Sequence, residues 1–308
     1  MNRFWPLLGI LLLVGCGNSN QKLIDDAPLI TQKYRDDLGR EIKLSRTPSK
    51  VISLAPSCTE MLFAIGAAGQ VAAVSEACDH PAEVADYARV VTYPSLDLPA
   101  IAELDPDLVL ANTEIFDVKE ADFFDRYDIP LYFQNFEGVN DIYRNIEALG
   151  DILDHKEEAS ELVEQLKYDE KLITDSTATR IKYRTMVLIG VKPLIVAGGG
   201  SFISEVIEKA GGKNAFGDLN DKYPVINQEA ILNANPEVIL IPSTNDQVYQ
   251  DFADQYPLLH LNMIASQDGR VFLMDPNLVL RPGPRTIQGM GFLARTLHPN
   301  IDLTEIIE

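Results

Sequence analysis

The 308-residue sequence predicts an α/β protein in which two Rossmann-like lobes are joined by one long inter-lobe helix, with a cleft between the lobes. The first observation is a repeat, because residues 101–110 (IAELDPDLVL) and 231–240 (ILNANPEVIL) share a helix end, a proline and an apolar run. Proline stops the helix, and the apolar run suits a parallel strand that is buried on both faces. The second observation is a weaker match between residues 60–66 and 205–211, each a helix that ends at glycine. Two matches in the same order predict two lobes of like architecture.

Residues 1–15 have the pattern of a signal peptide. Arg3 precedes an apolar run that is too short for a permanent membrane span. Gly15 and Cys16 resemble a bacterial lipobox, which implies a mature chain that begins at Cys16 with a lipid on its thiol. An ordinary cleaved signal peptide with a chance cysteine is the alternative. We expect residues 16–28 to form a polar tether, and the protein to lie in the cell envelope, on the periplasmic side, lipid-anchored to a membrane.

Residues 29–138 are predicted to form the first lobe. Two short alternating runs flank Asp36-Asp37-Leu38-Gly39, which is a β-hairpin signal. The apolar spacing then predicts three elements in chain order, namely a strand at 51–54, a helix at 59–65 and a strand at 71–74.

Residues 139–176 carry the longest helical pattern and are predicted to be the inter-lobe helix. Apolar residues recur at three- and four-residue steps from Ile142 to Leu153, and the stripe continues at Leu162. We expect one long helix that bridges the lobes, with a kink near Asp154.

Residues 177–308 are predicted to form the second lobe. Three elements are predicted in chain order, namely a strand at 185–191, a helix at 202–210 and a last helix at about 285–297. Glycines 198–200 precede the first of these helices, so we expect a tight turn with Ser201 as the N-cap. An anion site at this helix N-terminus is the alternative.

Composition and charge exclude several classes of protein. The formal net charge is −20, from 46 acidic and 26 basic residues, so the chain lacks the basic excess that nucleic-acid binding needs. There is no GxSxG elbow and no GxxxxGK(S/T) loop, and the four histidines are scattered without metal-ligand spacing. We therefore expect neither an enzyme nor a metal-binding protein. Cys58 and Cys78 could form a disulfide in an oxidising compartment, but two cysteines make no zinc site.

The loops that follow the strands predict where a ligand binds. In doubly wound sheets ligands bind beyond the carboxyl ends of the strands, so two facing lobes form a shared site. Aromatic side chains on such loops suit an apolar ligand. The candidate residues are Pro56, Ser57, Cys78 and Asp79, together with the aromatic residues Tyr93, Phe116, Phe202 and Tyr223. The alternative is that half of the aromatic residues fill the lobe cores and that Cys78 is a buried structural thiol.

The segment SKVISLAPSCTEMLFAIGAAGQVAAVSEACDHPAEV resembles the first lobe of periplasmic cobalamin-binding proteins. That family belongs with the siderophore- and haem-binding receptors of ABC importers. The family pattern is a strand with the motif SLAPS-T-E, then a helix, then a strand that ends in D-x-P. This sequence has the first motif within residues 51–60 and the D-x-P turn at residues 79–81. IAELDPDLVLA, GGGSFISEVIEKAGGKNAF and RPGPRTIQGMGFLARTLHP match later blocks in the same order, so the resemblance covers about residues 35–299.

The resemblance implies a substrate-binding lipoprotein that captures cobalamin or a related corrinoid in the inter-lobe cleft and delivers it to an ABC permease with its ATPase subunits. It also implies a rigid inter-lobe helix, no resident cofactor and a monomer. By position, Tyr93 lies against the corrin ring and Arg281 reaches the ligand from the second lobe. Glu120 is placed to pair with arginines of the permease. On the second lobe the corresponding position falls near Gly200, and Glu205 is taken as its substitute.

Charge narrows the choice of ligand. A triscatecholate ferric siderophore needs a cluster of arginines, whereas only Arg281 and either Arg89 or Arg285 are available. A nearly neutral ligand such as cobalamin or a hydroxamate chelate fits better. Haem needs an axial tyrosine or histidine, for which Tyr93 and His80 are candidates. The alternatives are therefore a ferric siderophore or haem receptor of the same family and, from other classes, an envelope enzyme, a metallochaperone or a structural envelope lipoprotein.

Overall fold

The computed structural model describes residues 31–116 and 118–307. The predicted signal peptide, the lipidation site Cys16 and the tether lie outside the described residues. Within the described ranges, no helix combines the length and the apolar character that a membrane span requires.

The first lobe is built on a parallel five-stranded sheet. The predicted hairpin precedes it and consists of β1 (Gln32–Arg35) and β2 (Glu41–Leu44). The strands of the sheet are β3 (Val51–Ser53), β4 (Val71–Ser75), β5 (Ala88–Val90), β6 (Leu108–Asn112) and β7 (Leu131–Gln134). They lie in the order β5-β4-β3-β6-β7. The helices are α1 (Pro56–Ala64), α2 (Leu98–Glu103) and α3 (Ala121–Arg126), with 3₁₀ turns at Ala67–Gln70, Ala82–Asp86 and Val118–Glu120.

The connection between the lobes is a pair of antiparallel helices, α4 (Val139–Leu153) and α5 (Lys156–Thr177), so the prediction of a single helix is wrong. The Tyr143 hydroxyl of α4 donates a hydrogen bond to the Glu170 carboxylate of α5 at 2.6 Å. Asp154 ends α4 with a left-handed φ of +64°. A Cβ atom on Gly150 would lie 2.4 Å from that of Ala159, so only glycine lets the helices meet there. The same apolar periodicity fits both arrangements, which is why it does not reveal the turn.

Helix α5 is the element that crosses between the lobes. Its 22 residues span about 33 Å at 1.5 Å per residue. At its start, the His155 ring lies 3.1 Å from the Gln70 side chain of the first lobe. At its end, Thr177 lies against Gly211 of the second lobe.

The second lobe repeats the plan of the first. Its strands are β8 (Tyr183–Gly190), β9 (Ile195–Val196), β10 (Gly212–Asn214), β11 (Val238–Pro242) and β12 (Val271–Met274). Four of them lie parallel in the order β10-β8-β11-β12, and β9 pairs antiparallel with β8. The helices are α6 (Phe202–Lys209), α7 (Gln228–Ala234), α8 (Gln247–Gln255), α9 (Pro257–Asn262), α10 (Ile264–Gln267), α11 (Pro276–Val279), α12 (Thr286–Leu297) and α13 (Thr304–Ile307).

The internal repeat appears in the matching strand orders, β4-β3-β6-β7 in the first lobe and β10-β8-β11-β12 in the second. Asp105 and Asn235 follow α2 and α7 with left-handed φ angles of +49° and +43°, and a proline follows each. Aspartate and asparagine are the non-glycine residues that tolerate this region best. Gly66 and Gly211 likewise follow α1 and α6, with φ angles of +79° and +82°. The predicted two-lobed α/β fold is therefore confirmed.

One buried apolar cluster runs through both lobes. It includes Leu62 of α1, Ile146 of α4, Leu166 of α5, Ile207 of α6 and Met290 of α12. Smaller clusters fill the opposite face of each sheet. Because burial of apolar surface stabilises by about 25 cal/mol per Å², the shared cluster holds the two lobes together along α4 and α5.

Candidate ligand-binding cleft

The cleft lies where the strand-end loops of the two lobes face each other. Parallel strands end at one edge of each sheet, and ion pairs join these edges across the cleft. One group of pairs links the loop after β12 to the β3–β4 side of the first lobe. The other links the loop after β10 to the loop after β6. The cleft is therefore bounded on both flanks by charged contacts between the lobes.

The first group is an arginine clamp, made of Glu60 and Asp79 from the first lobe and Arg281 and Arg285 from the second. The Arg285 guanidinium donates two hydrogen bonds to the Glu60 carboxylate, at 2.9 and 2.5 Å. The Glu60 side chain is only 3% exposed. Arg281 donates to Asp79 and lies 3.7 Å from Glu60. Hydrogen bonding to Glu60 raises the pKa of Arg285, and hydrogen bonding to Arg281 lowers the pKa of Asp79.

The segment between the two arginines lies directly on the start of α1. A Cβ atom on Gly283 would be 3.5 Å from a Glu60 oxygen and 3.9 Å from the Ser57 Cα atom. Prolines 282 and 284 flank this glycine and restrict the backbone on either side. Ser57 is therefore buried at the contact between the lobes rather than on an open wall of the cleft, and Pro56 beside it is half-buried.

On the opposite flank, the Lys222 ammonium of the second lobe donates to the Glu114 carboxylate of the first lobe at 2.7 Å. We call this pair the cleft pair. Tyr223 is half-buried beside it, and burial together with the nearby Glu114 charge raises the pKa of its hydroxyl.

The glycine run at 198–200 supports the loop that carries Lys222. Cβ atoms at these three positions would lie 2.1–2.2 Å from carbonyl oxygens of the loop at residues 217–221. The Gly198 N–H donates to the Lys222 carbonyl at 2.9 Å. Ser201 caps α6, since its hydroxyl accepts from the Ser204 N–H at 3.3 Å. The predicted tight turn and N-cap are confirmed.

Tyr93 is an aromatic residue on a strand-end loop of the first lobe, with 83% of its surface exposed. Its loop follows β5 and is held by the Glu76 carboxylate, which accepts hydrogen bonds from the backbone N–H groups of Thr92 and Tyr93 at 2.8–2.9 Å. Partial burial acts to raise the pKa of Glu76, but these hydrogen bonds outweigh it and leave the pKa lowered.

Acid is therefore expected to release the Tyr93 loop. A lowered pKa means that the hydrogen bonds are present at neutral pH and are lost as the pH falls through the folded-state pKa of Glu76. In NMR spectra between pH 7 and pH 3, the Thr92 and Tyr93 amide signals should move together with one titration in the native chain. That titration should be absent in Glu76→Gln. It should persist in the control Glu83→Gln, which removes a different exposed carboxylate of the first lobe. The same titration in Glu76→Gln would show that another group holds the loop.

Cys58 and Cys78, the two cysteines within the described residues, are buried free thiols. The Cys78 sulfur lies 3.1 Å from the Thr59 hydroxyl and 3.2 Å from the Ser75 hydroxyl. Burial raises the pKa of the Cys58 thiol to about 12. The prediction that Cys78 contacts the ligand is therefore wrong, because its sulfur is enclosed below the cleft, and the alternative of a structural thiol is correct.

Two of the four aromatic residues that were predicted to contact the ligand are buried in the protein core. Phe116 is buried in the first-lobe cluster and Phe202 in the cluster that both lobes share. Neither ring offers surface to a ligand, so these two assignments are wrong. Asp79, Tyr93, Tyr223 and Arg281 lie on strand-end loops, and their contact with a ligand stays a prediction.

The predicted docking residues differ in their surroundings. Glu120 is half-buried at the end of the 3₁₀ turn that precedes α3. Glu205 accepts a hydrogen bond from the Val139 N–H at the start of α4 at 2.8 Å, and it pairs with Lys209 at 3.3 Å. The Glu205 carboxylate therefore stabilises the N-terminus of α4 while its side chain stays 33% exposed, and its docking role stays a prediction.

Several residues of the site carry no distinguishing signal in the sequence. Glu76, Glu114 and Lys222 have the local pattern of ordinary loop charges, and only the fold brings them to the cleft. Glu60 and Arg285 stand in the TE and RPGPR segments, 225 positions apart, and their pairing too appears only in the fold. Among the described residues, no group of three histidine, cysteine or acidic side chains could hold a metal ion.

Comparisons with known proteins agree with this geometry. The family described as periplasmic binding protein matches residues 51–278. A vitamin B12-binding protein from Vibrio parahaemolyticus is 28% identical over 244 residues, which are 78% of this chain and 86% of that protein. The crystal structure of the periplasmic vitamin B12 binding protein BtuF of Vibrio cholerae matches with a TM-score of 0.73 and 25% identity, over 82% of this chain and 97% of that chain.

A periplasmic heme binding protein from Pseudomonas aeruginosa has the same fold, with a TM-score of 0.73 and 21% identity over 83% of this chain and 94% of that chain. The family match spans both sheets and the α4–α5 connection between them. The chain therefore belongs to the periplasmic binding protein family.

Proposed function

We propose that this protein is the substrate-binding component of an ABC importer and that it captures cobalamin or a related corrinoid in the inter-lobe cleft. The exposed Tyr93 ring carries the proposal. Glu76 holds its backbone in place before any ligand arrives, so the ring offers a ready apolar face to a flat macrocycle. The similarity to vitamin B12-binding proteins supports the same ligand class.

The charges of the cleft favour a nearly neutral ligand. Arg281 and Arg285 are paired with Asp79 and Glu60, and Lys222 is paired with Glu114. Arg89 donates to the carbonyls of Ser75, Cys78 and Val84 at 2.5–3.1 Å, so it stabilises a loop. A ligand with several negative charges would have to displace carboxylates that are already in place, whereas a neutral ligand brings no charge that competes with them.

Haem is the second candidate of the same family. Tyr93 and His80 are both exposed on strand-end loops and could each supply an axial ligand. The haem propionates would however face the carboxylates of the cleft, including Asp79 and Glu114. The corrinoid is the better match because it places no carboxylates there.

We also propose that the protein resides in the periplasm, is anchored to a membrane through a lipid on Cys16, acts as a monomer and passes its ligand unchanged to the permease and its ATPase subunits. The lipobox-like Gly15-Cys16 pair supports the anchor. Membership of the periplasmic binding protein family supports the location.

A ligand screen tests the proposal directly. The purified protein is titrated with cyanocobalamin, hemin and a ferric hydroxamate chelate, with binding followed by calorimetry and absorption spectra. Stoichiometric binding that is tightest for cyanocobalamin, with the ligand recovered unchanged, is expected. Tighter binding of hemin would identify haem rather than a corrinoid as the ligand. A chemically altered ligand would indicate an enzyme.

Docking to the permease is expected to depend on Glu120. The change Glu120→Arg should leave ligand affinity unchanged and slow transport, because it brings like charges together at the interface. The loss should be larger at low salt, where screening is weakest. Transport is measured in vesicles that contain the permease and ATPase, with Glu103→Arg, an exposed carboxylate at the end of α2, as the control. Normal transport by the Glu120 variant would remove this residue from the docking surface.

A further inference from the structure

The two flanks of the cleft are closed by contacts of different strength. On the clamp flank, Arg285 binds Glu60 through two hydrogen bonds, and the carboxylate is almost fully buried. On the other flank, Lys222 and Glu114 share one contact, and their side chains are 35% and 21% exposed. An ion pair that water reaches is weaker than a buried, bidentate one. The cleft pair is therefore the contact that separates more easily.

The backbones on both sides of the cleft pair are held in place. The Lys222 carbonyl accepts from the Gly198 N–H at 2.9 Å. The Glu114 N–H donates to the Asn112 side-chain oxygen at 2.8 Å, and Asn112 also donates to the Ser57 hydroxyl at 3.3 Å. Because each loop is anchored to its own lobe, separation of the pair loosens the contact between the lobes on this flank.

We propose that Lys222 and Glu114 gate the cleft and, once separated, determine specificity by binding uncharged carboxamides of the ligand. The proposal rests on the proposed corrinoid function. Lysine offers only donors and an ionised glutamate only acceptors, whereas a carboxamide offers both a carbonyl oxygen and an NH₂ group. Carboxamides around the edge of a corrin ring can thus replace each half of the pair with a hydrogen bond.

The same geometry disfavours a carboxylate on the ligand. A carboxylate could accept from Lys222 but would meet Glu114 as a like charge, and it has no N–H to donate. Glu114 is therefore expected to select an amide-bearing ligand over its hydrolysed acid, which has nearly the same shape.

Two variants test the selectivity. Binding is measured for cyanocobalamin and for cyanocobalamin in which one peripheral carboxamide has been hydrolysed to a carboxylate. The native protein should prefer the amide form, and Glu114→Gln should reduce that preference by about fivefold or more, the scale of one partly exposed charge interaction. Lys222→Met should speed association of cyanocobalamin by about two- to fivefold by removing the closed pair. Lys182→Met, which breaks the exposed Lys182–Glu208 pair of the second lobe, serves as the control.

A ligand-free measurement keeps the gate testable if the corrinoid proposal fails. Nitroxide labels on Ser95→Cys and Asp246→Cys, one on each lobe, report the distance across the cleft by pulsed electron paramagnetic resonance. The distribution should broaden in Lys222→Met and remain narrow in Lys182→Met. An unchanged distribution overturns the gate, and an unchanged amide preference in Glu114→Gln overturns the selectivity. Absence of cyanocobalamin binding by the native protein overturns the proposed function, and the selectivity with it.

Discussion

Replacing Arg285 by methionine is expected to lower the free energy of unfolding by about 3–5 kcal/mol. Glu60 is 3% exposed and takes both of its short hydrogen bonds from Arg285. Without that partner its charge remains buried inside the protein. Arg281 also forms an ion pair with Glu60 at 3.7 Å, but its hydrogen bonds go to Asp79, so it offsets only part of the lost contact. The loss is therefore that of a buried charge without its hydrogen-bonding partner, which costs more than the loss of a surface contact.

Urea unfolding measures this effect. Lys171→Met breaks the exposed Lys171–Asp175 pair on α5 and should change the unfolding free energy by less than about 1 kcal/mol. The double variant Glu60→Gln with Arg285→Met should recover part of the loss, because it removes both charges together. A change in Arg285→Met as small as in the Lys171 control would mean that water reaches Glu60 and that the clamp adds little.

Replacing Tyr93 by alanine is expected to weaken cyanocobalamin binding by about 1–3 kcal/mol, the scale of a lost aromatic anchor. The melting temperature should not change, because 83% of the Tyr93 surface is exposed and its loop is held through backbone hydrogen bonds to Glu76. Calorimetric titration measures the affinity, and thermal unfolding checks the fold.

The matched control for Tyr93 is Tyr168→Ala. Tyr168 is also an exposed tyrosine, but it lies on α5, away from the strand-end loops. Its variant should bind with native affinity. Equal affinities for Tyr93→Ala and the native protein would remove Tyr93 from the site and would take away the main support for a macrocyclic ligand.

Local patterns in the sequence were sufficient to predict the two-lobed fold. A helix end, then Asp105 or Asn235, a proline and an apolar strand form a signal within ten residues, and the structure repeats it in both lobes. The hairpin and the Ser201 cap are also local, since the groups that interact lie within a few residues of each other.

The helical connection between the lobes could not be predicted from local sequence patterns. Helices α4 and α5 have the apolar stripe of one long helix, but the turn at Asp154 depends on the close packing of Gly150 against Ala159. Periodicity reports which face of a helix is buried and not which element covers it.

The sequence by itself thus determined the α/β class, the two lobes and the loops that carry the site. Only the tertiary structure decided which loop residues are exposed and which are buried. Phe116 and Tyr93 are both aromatic residues after a strand, yet one is buried and the other is open. Glu60 and Arg285 are 225 positions apart and form the buried contact between the lobes. Burial and ion pairing depend on neighbours that are distant along the chain, and folding is what brings those neighbours together.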